Sequence, residues 1–249
     1  MSQAQNIYDD PTFFDGYRSL RQNPASANNL EEKPALFSLI PDLRGKSVLD
    51  LGCGYGENLA EFKALGASRV LGVDISERML SVAKEEHPEL EFIRGGMGDL
   101  SFIGERFDCV FSSLAVHYVE DFGRFSKQVY ERLNSGGCFI FSQEHPLTTA
   151  PIMTADYVRW TKDDEGKVKY YNLSDYSVSG KRDVSWIVDG VRKYHRTFAD
   201  IVNALCEAGF VIQKMLEPVP SEENIKQNSG EEKELHKPNF LLIKAKKPL

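Results

Sequence analysis

Between Lys46 and Phe141 short apolar runs alternate with segments of helical character, and this alternation restricts the fold more than any other feature of the chain. Val48–Leu51, Val70–Val73, Phe92–Ile93, Cys109–Phe111 and Phe139–Phe141 read as strands, apolar at successive positions rather than at every second one. A strand that is apolar on both faces has to be covered on both, so the pattern predicts a parallel sheet with helices on either side. The first strand runs into Gly52-Cys53-Gly54-Tyr55-Gly56 with Asp50 at its end, and the second closes on Asp74. Ligands of such sheets sit beyond the carboxyl ends of the strands, where Asp50, Asp74 and Ser112–Leu114 fall.

Glycines after a strand let the backbone turn tightly and approach a ligand. Here the spacing lacks the third glycine of the dinucleotide fingerprint, whose place is held by Glu57. Asp50 and Glu57 would repel a pyrophosphate, which favours a ligand with a positive centre and no phosphate. S-adenosyl-L-methionine, with its sulfonium and ammonium, fits. Asp74, about twenty residues beyond the glycines, suits a carboxylate accepting both ribose hydroxyls.

These residues resemble the class I S-adenosylmethionine-dependent methyltransferases. Phe107-Asp108-Cys109-Val110-Phe111-Ser112-Ser113-Leu114 is similar to that family's fourth-strand motif, and Asn134-Ser135-Gly136-Gly137-Cys138-Phe139-Ile140-Phe141 to its turn into strand five. The likeness covers Gly45 to Phe141 and, more loosely, Thr197–Glu217. It implies an α/β fold with a doubly wound, seven-stranded, mostly parallel sheet whose final strand is antiparallel. It also implies S-adenosyl-L-methionine as cofactor and methyl transfer as the activity. The cofactor-binding residues would be Asp50, Gly52, Cys53, Gly54, Gly56, Asp74, Ile75 and Met79, with Met97, Gly98, Ser113 and Leu114 from later turns. From the N-terminal helix, Tyr17 and Arg18 are candidates for the cofactor's carboxylate, the resemblance favouring Tyr17. The chain departs from the family at Gly96, where an acidic residue is common: either Asp99 takes over the contact to the adenine amino group, or backbone groups of a glycine turn make it. Within the family, Ser112–Tyr118, Phe141–Pro146 and Lys193–Thr197 resemble a group of bacterial small-molecule-type methyltransferases. Two other functions stay open: a nicotinamide-dependent oxidoreductase, disfavoured by Glu57, and a protein that binds S-adenosylmethionine without catalysis.

Residues 1–44 read as a helical cover, with helices at Asp10–Arg21 and Leu30–Ile40, and residues 45–146 as the cofactor-binding core. Residues 147–196 interrupt the alternation; they hold both tryptophans and no phenylalanine, so their rings mostly carry a polar handle, which suits a partly wet surface. In this antiparallel β insertion, Asp183–Val188 and Val191–Arg196 flank an Asp189-Gly190 turn that would pair Trp186 with Lys193 and Val184 with His195. Tyr157–Thr161 and Lys167–Tyr171 suggest a second hairpin, and a lid or substrate-binding role follows. Residues 197–249 complete the core sheet, with a polar, mostly solvated stretch at Ser221–Glu234.

The sulfonium is an activated leaving group, so catalysis needs chiefly alignment at about 3–3.5 Å and exclusion of water. A general base helps for a hydroxyl or protonated amine. His117, Glu144, His145 and His195 are the candidates, each close to a strand end or hairpin exit. The net charge of −7 offers no general attraction to phosphate backbones or anionic membranes, and no apolar run reaches membrane-spanning length. A small-molecule acceptor and a cytoplasmic location are therefore expected, with no nucleic-acid partner. Cys53, Cys109, Cys138 and Cys206 are too dispersed for a metal site and are expected as buried free thiols.

Overall fold

The computed structural model describes residues 5–227 and 229–249. Helix α1 (Pro11–Gln22) begins on a proline, which loses nothing where no N–H partner exists, and Asp10 caps it by accepting from the Phe13 amide. A π-helical turn, Asn28–Glu32, runs into α2 (Lys33–Phe37). The alternating region follows as β1 (Ser47–Leu51), α3 (Glu57–Ala64), β2 (Arg69–Asp74), α4 (Glu77–Glu86), β3 (Glu91–Arg94), β4 (Phe107–Ser112), α5 (Phe122–Glu131) and β5 (Leu133–Glu144). After the short α6 (Pro146–Thr149), β6 (Trp160–Lys162) pairs with β7 (Val168–Tyr171), and β8 (Gly180–Trp186) with β9 (Val188–His195), each pair antiparallel and separate from the main sheet. Helix α7 (Phe198–Glu207), held by a Thr197/Asp200 capping box, then β10 (Val211–Leu216), α8 (Glu222–Gln227) and β11 (Phe240–Lys246) complete the described chain.

The main sheet has seven strands in the order β10-β11-β5-β4-β1-β2-β3. Only β11 runs antiparallel to its neighbours, β5 and β10. Successive strand residues feed opposite cores: Leu49, Leu51, Leu71, Val73, Phe139 and Phe141 pack under α5 and α7, while Val48, Val70, Phe111 and Ile140 pack under α2, α3 and α4. That double burial is why the inner strands are apolar at successive positions, while the edge strands β3 and β10 are largely exposed. Strand order reverses between β1 and β4, which opens a crevice at their carboxyl ends.

Two expectations need correction. The hairpin reverses at Ile187 (φ 63°) rather than at Asp189-Gly190, so Val184 pairs with Val191, Arg182 with Lys193 and Gly180 with His195. Asp189 and Gly190 (φ 75°) instead form a bulge within β9, because a left-handed glycine serves a bulge as well as a turn. The partner of His195 moves by an even number of residues, from Val184 to Gly180, so side-chain parity is kept and Val191, Lys193 and His195 still point inward. Cys206 is exposed, unlike Cys53, Cys109 and Cys138. The stretch Ser221–Glu234 is mostly exposed, as expected, apart from Glu234, which is buried with its carboxylate 2.8 Å from Lys237 Nζ.

Candidate functional site

A cavity of about 450 Å³ lies at the carboxyl ends of β1, β2 and β4. Its floor begins at Gly52 (φ 77°), where an added Cβ would sit 2.4 Å from the Ala115 Cβ, so only glycine allows the two turns to approach this closely. The Gly54 amide donates to Asp74 Oδ2 at 2.9 Å and the Ser76 amide to Asp74 Oδ1 at 2.8 Å. One carboxylate thereby ties the glycine turn to the start of α4, and it still lines the cavity with acceptor capacity to spare. Burial raises the Asp74 pKa, against which the two amides favour its charged form. Ile75, Met79, Met97 and Gly98 line one side, with Gly95 and Gly96. Asp99 lies outside the lining and accepts from Ser101, so of the two readings of this loop the structure brings the glycine turn to the cavity.

Ser113 and Leu114 line the opposite side. Leu114 holds a left-handed φ of 50° and donates its amide to Ser142 Oγ at 2.9 Å. Beneath it Glu32, fully buried, accepts from Ser113 Oγ at 2.9 Å and from Ser142 Oγ. Burial raises the pKa of Glu32, and the two serines oppose this.

Three of the expected cofactor residues do not reach the cavity surface. Asp50 is wholly enclosed below the turn, and burial, with Asp74 beside it, pushes its pKa up to about 8. Cys53 is buried, and Gly56 caps α3 at φ 83° against Phe92 and His87. Glu57 is paired with Arg21 at 2.6 Å. The turn is thus less acidic than its composition suggests: one carboxyl is drawn toward its neutral form and the other is matched by a guanidinium.

None of His117, Glu144, His145 and His195 lines the cavity. His195 is fully buried, with Nε2 2.9 Å from the Tyr176 carbonyl and Nδ1 2.9 Å from Thr149 Oγ1, so Nε2 holds the proton and Nδ1 accepts. His145 caps α6, Nδ1 accepting from Leu147, and its Nε2 faces Glu217 at 2.9 Å. Burial drives the His117 pKa down to about 3, and its Nδ1 accepts from the Glu144 amide. Glu144 is opposed by burial, but Lys193 at 2.6 Å holds its carboxyl below the usual range. All four are engaged by protein partners outside the cavity lining, so the structure does not bring the candidate bases to it.

What stands in their place was not singled out from the sequence. Residues 5–9 cross the site as a strap: Gln5, Ile7 and Tyr8 line the cavity. At one end of the strap Asp9 accepts from Ser76 Oγ at 2.6 Å and the Arg78 amide at 3.1 Å. At the other the Gln5 side chain donates to the Gly190 carbonyl and accepts from the Arg192 amide. Tyr8 donates to the Tyr118 hydroxyl at 3.1 Å, and its ring meets Tyr17 and Tyr118 edge-on. Tyr17 lines the cavity as expected, whereas Arg18 is half-exposed beside Glu86. From β9 come Arg192 and Tyr194, on the face opposite to the inward set. The alternation of β9 was the signal for them, but it did not tell which face meets the cavity.

The donor set fits an adenosine-bearing ligand: a carboxylate for ribose hydroxyls, glycines for close approach, and apolar Ile75, Met79 and Met97. Residues 49–141 match the family model described as a methyltransferase domain. An uncharacterized protein of Haemophilus influenzae is 39% identical over 99% of this chain and 99% of its own length. The crystal structure of an S-adenosylmethionine dependent methyltransferase from Mesorhizobium loti superposes with a TM-score of 0.79 at 37% identity, covering 89% of this chain and 98% of that one. A structure from Listeria monocytogenes superposes with a TM-score of 0.76 at 35% identity, covering 87% of this chain and 96% of its own.

Proposed function

The chain belongs to the S-adenosylmethionine-dependent methyltransferases, and from that premise we propose that its acceptor is a small molecule with a flat or apolar body. The observation that carries this reading is the joining, in one cavity of about 450 Å³, of the Asp74 cradle to a wall of tyrosines from the strap, α1, the turn after β4, and β9. A pocket of that size suits a nucleoside-type cofactor and a modest partner rather than a macromolecular surface. The net charge of −7 gives no support to a nucleic-acid substrate. No helix among the described residues is long and apolar enough to cross a membrane, and the reading places the protein in the cytoplasm.

S-adenosylmethionine, when bound, supplies an electrophilic methyl group whose leaving group is a neutral thioether. The residues do the rest. Gly52 and Gly54 admit the ligand to the backbone, Asp74 would hold the ribose, and Met79 and Met97 would flank the base. The strap and β9 exclude water from the reacting atoms. Tyr118 accepts from Tyr8 and keeps its own proton to orient an acceptor atom. Burial raises the pKa of both tyrosines, so they act as neutral hydrogen-bonding groups rather than bases at neutral pH.

Calorimetry with S-adenosylmethionine and S-adenosylhomocysteine tests the cradle. Incubation with methyl-labelled S-adenosylmethionine and a cell extract, divided into small-molecule and macromolecular fractions, tests the acceptor. Label is expected in the small-molecule fraction, with stoichiometric S-adenosylhomocysteine. Label confined to protein or nucleic acid would overturn the reading, and binding without turnover would point to a sensor.

A further inference from the structure

We propose that the acceptor carries a carboxylate-type anion, received by the Arg192 guanidinium, on its flat apolar body; this rests on the methyltransferase reading above. The cavity divides by element. The carboxyl ends of β1 and β2 and the turns that follow form the cofactor cradle, whereas the facing wall is built from residues 5–9 and the outward face of β9. An acceptor has to lie between them.

On that wall the backbone of Arg192 is fixed, its amide donating to Gln5 Oε1 at 2.7 Å. Arg192 Nε is enclosed and donates to nothing among the described residues; Asp183 stands 3.9 Å away, beyond hydrogen-bond range, and is itself engaged by Lys181 at 2.7 Å. Arg124 is the other cation that lines the cavity, and Glu120 and Asp121 line it with Arg124, whereas Arg21 is taken by Glu57, Lys193 by Glu144 and Arg196 by the carbonyls of Val119 and Glu120.

An enclosed donor on a cation is costly to leave without a partner, and a planar guanidinium matches a carboxylate through two parallel hydrogen bonds. The rings that line the same cavity, Tyr8, Tyr17, Tyr118 and Tyr194, suit the remainder of an aromatic acid. The wall therefore selects for one charge and one shape.

The probes are benzoate, 4-hydroxybenzoate and indole-3-carboxylate, each beside its uncharged primary amide, titrated calorimetrically into protein saturated with S-adenosylhomocysteine. At least one acid is expected to bind the wild type about tenfold more tightly than its amide. Arg192→Met should remove that preference and Arg192→Lys restore part of it, while the amides report any general damage to the pocket. The proposal is overturned if no acid is preferred to its amide by the wild type, or if the acids bind Arg192→Met as they bind the wild type. S-adenosylhomocysteine is titrated alone beforehand. Failure at that step overturns the methyltransferase reading and this proposal with it; success there without acid preference overturns this proposal alone.

Discussion

Replacing Asp50 by Asn removes a fully enclosed carboxyl whose pKa burial, with Asp74 close by, has pushed to about 8. In the unfolded chain the same group titrates near ~3.9. Because the folded-state value is raised, the native state binds the proton more tightly. The wild type therefore loses stability as pH climbs from about 4, by up to ~1.4 kcal/mol per pH unit, and the loss levels off above about 8. Asn keeps the shape and does not titrate. The stability of the variant relative to the wild type should then grow with pH; from pH 6 to pH 8 the linkage gives ~2 kcal/mol, and local relaxation leaves ~1–2 kcal/mol. Asp74 is present in both proteins and cancels to first order. Urea unfolding of the ligand-free protein at pH 6, 7, 8 and 9 measures the difference. A difference that stays constant or shrinks with pH would refute the picture of a largely protonated Asp50. A cationic ligand above this carboxyl favours its ionised form, so S-adenosylmethionine should gain affinity relative to S-adenosylhomocysteine over the same pH range, and Asp50→Asn should lose that gain.

Gly52→Ala combines a left-handed φ of 77° with a Cβ 2.4 Å from that of Ala115; a loss of ~2–5 kcal/mol in stability is expected by thermal unfolding, and wild-type stability would refute the close approach. Asp74→Ala should weaken S-adenosylmethionine binding by ~1–3 kcal/mol in calorimetry, and an unchanged Kd would remove Asp74 as the ribose ligand. His195→Ala leaves the Tyr176 carbonyl and Thr149 hydroxyl without their partner, so it should lower stability by ~1–3 kcal/mol while methyl transfer persists at temperatures where the variant is folded. Abolished turnover in a stable, cofactor-binding His195→Ala protein would restore the histidine to catalysis.

The sheet was legible because its inner strands announce double burial by near-continuous apolarity, and the cradle because Gly52, Gly54 and Asp74 stand at strand ends. Protonation was not. Counting Asp50 and Glu57 as charges made the turn look strongly acidic, yet enclosure neutralises the first and Arg21, 36 residues away, matches the second. The histidines drew attention by residue type, but what fixes a histidine's role is where both ring nitrogens go, and for His195 those partners come from two distant segments. Arg192 and Tyr194 depend on which face of β9 meets the cavity, and that is set by packing against residues 5–9 rather than by local pattern.

The strap itself belongs to no sheet. Its Tyr8 ring packs on Phe13 and Tyr17 close by in sequence and on the distant Tyr118, and its two ends are held by side-chain hydrogen bonds, Asp9 at the start of α4 and Gln5 on β9. Lifting it breaks no strand pairing, so local opening costs on the order of a few kcal/mol, well below the cost of disrupting the core. Product departure and substrate entry can therefore run on a local equilibrium while the architecture beneath stays intact, and changes near the amino terminus would register as altered exchange rates rather than as altered folding.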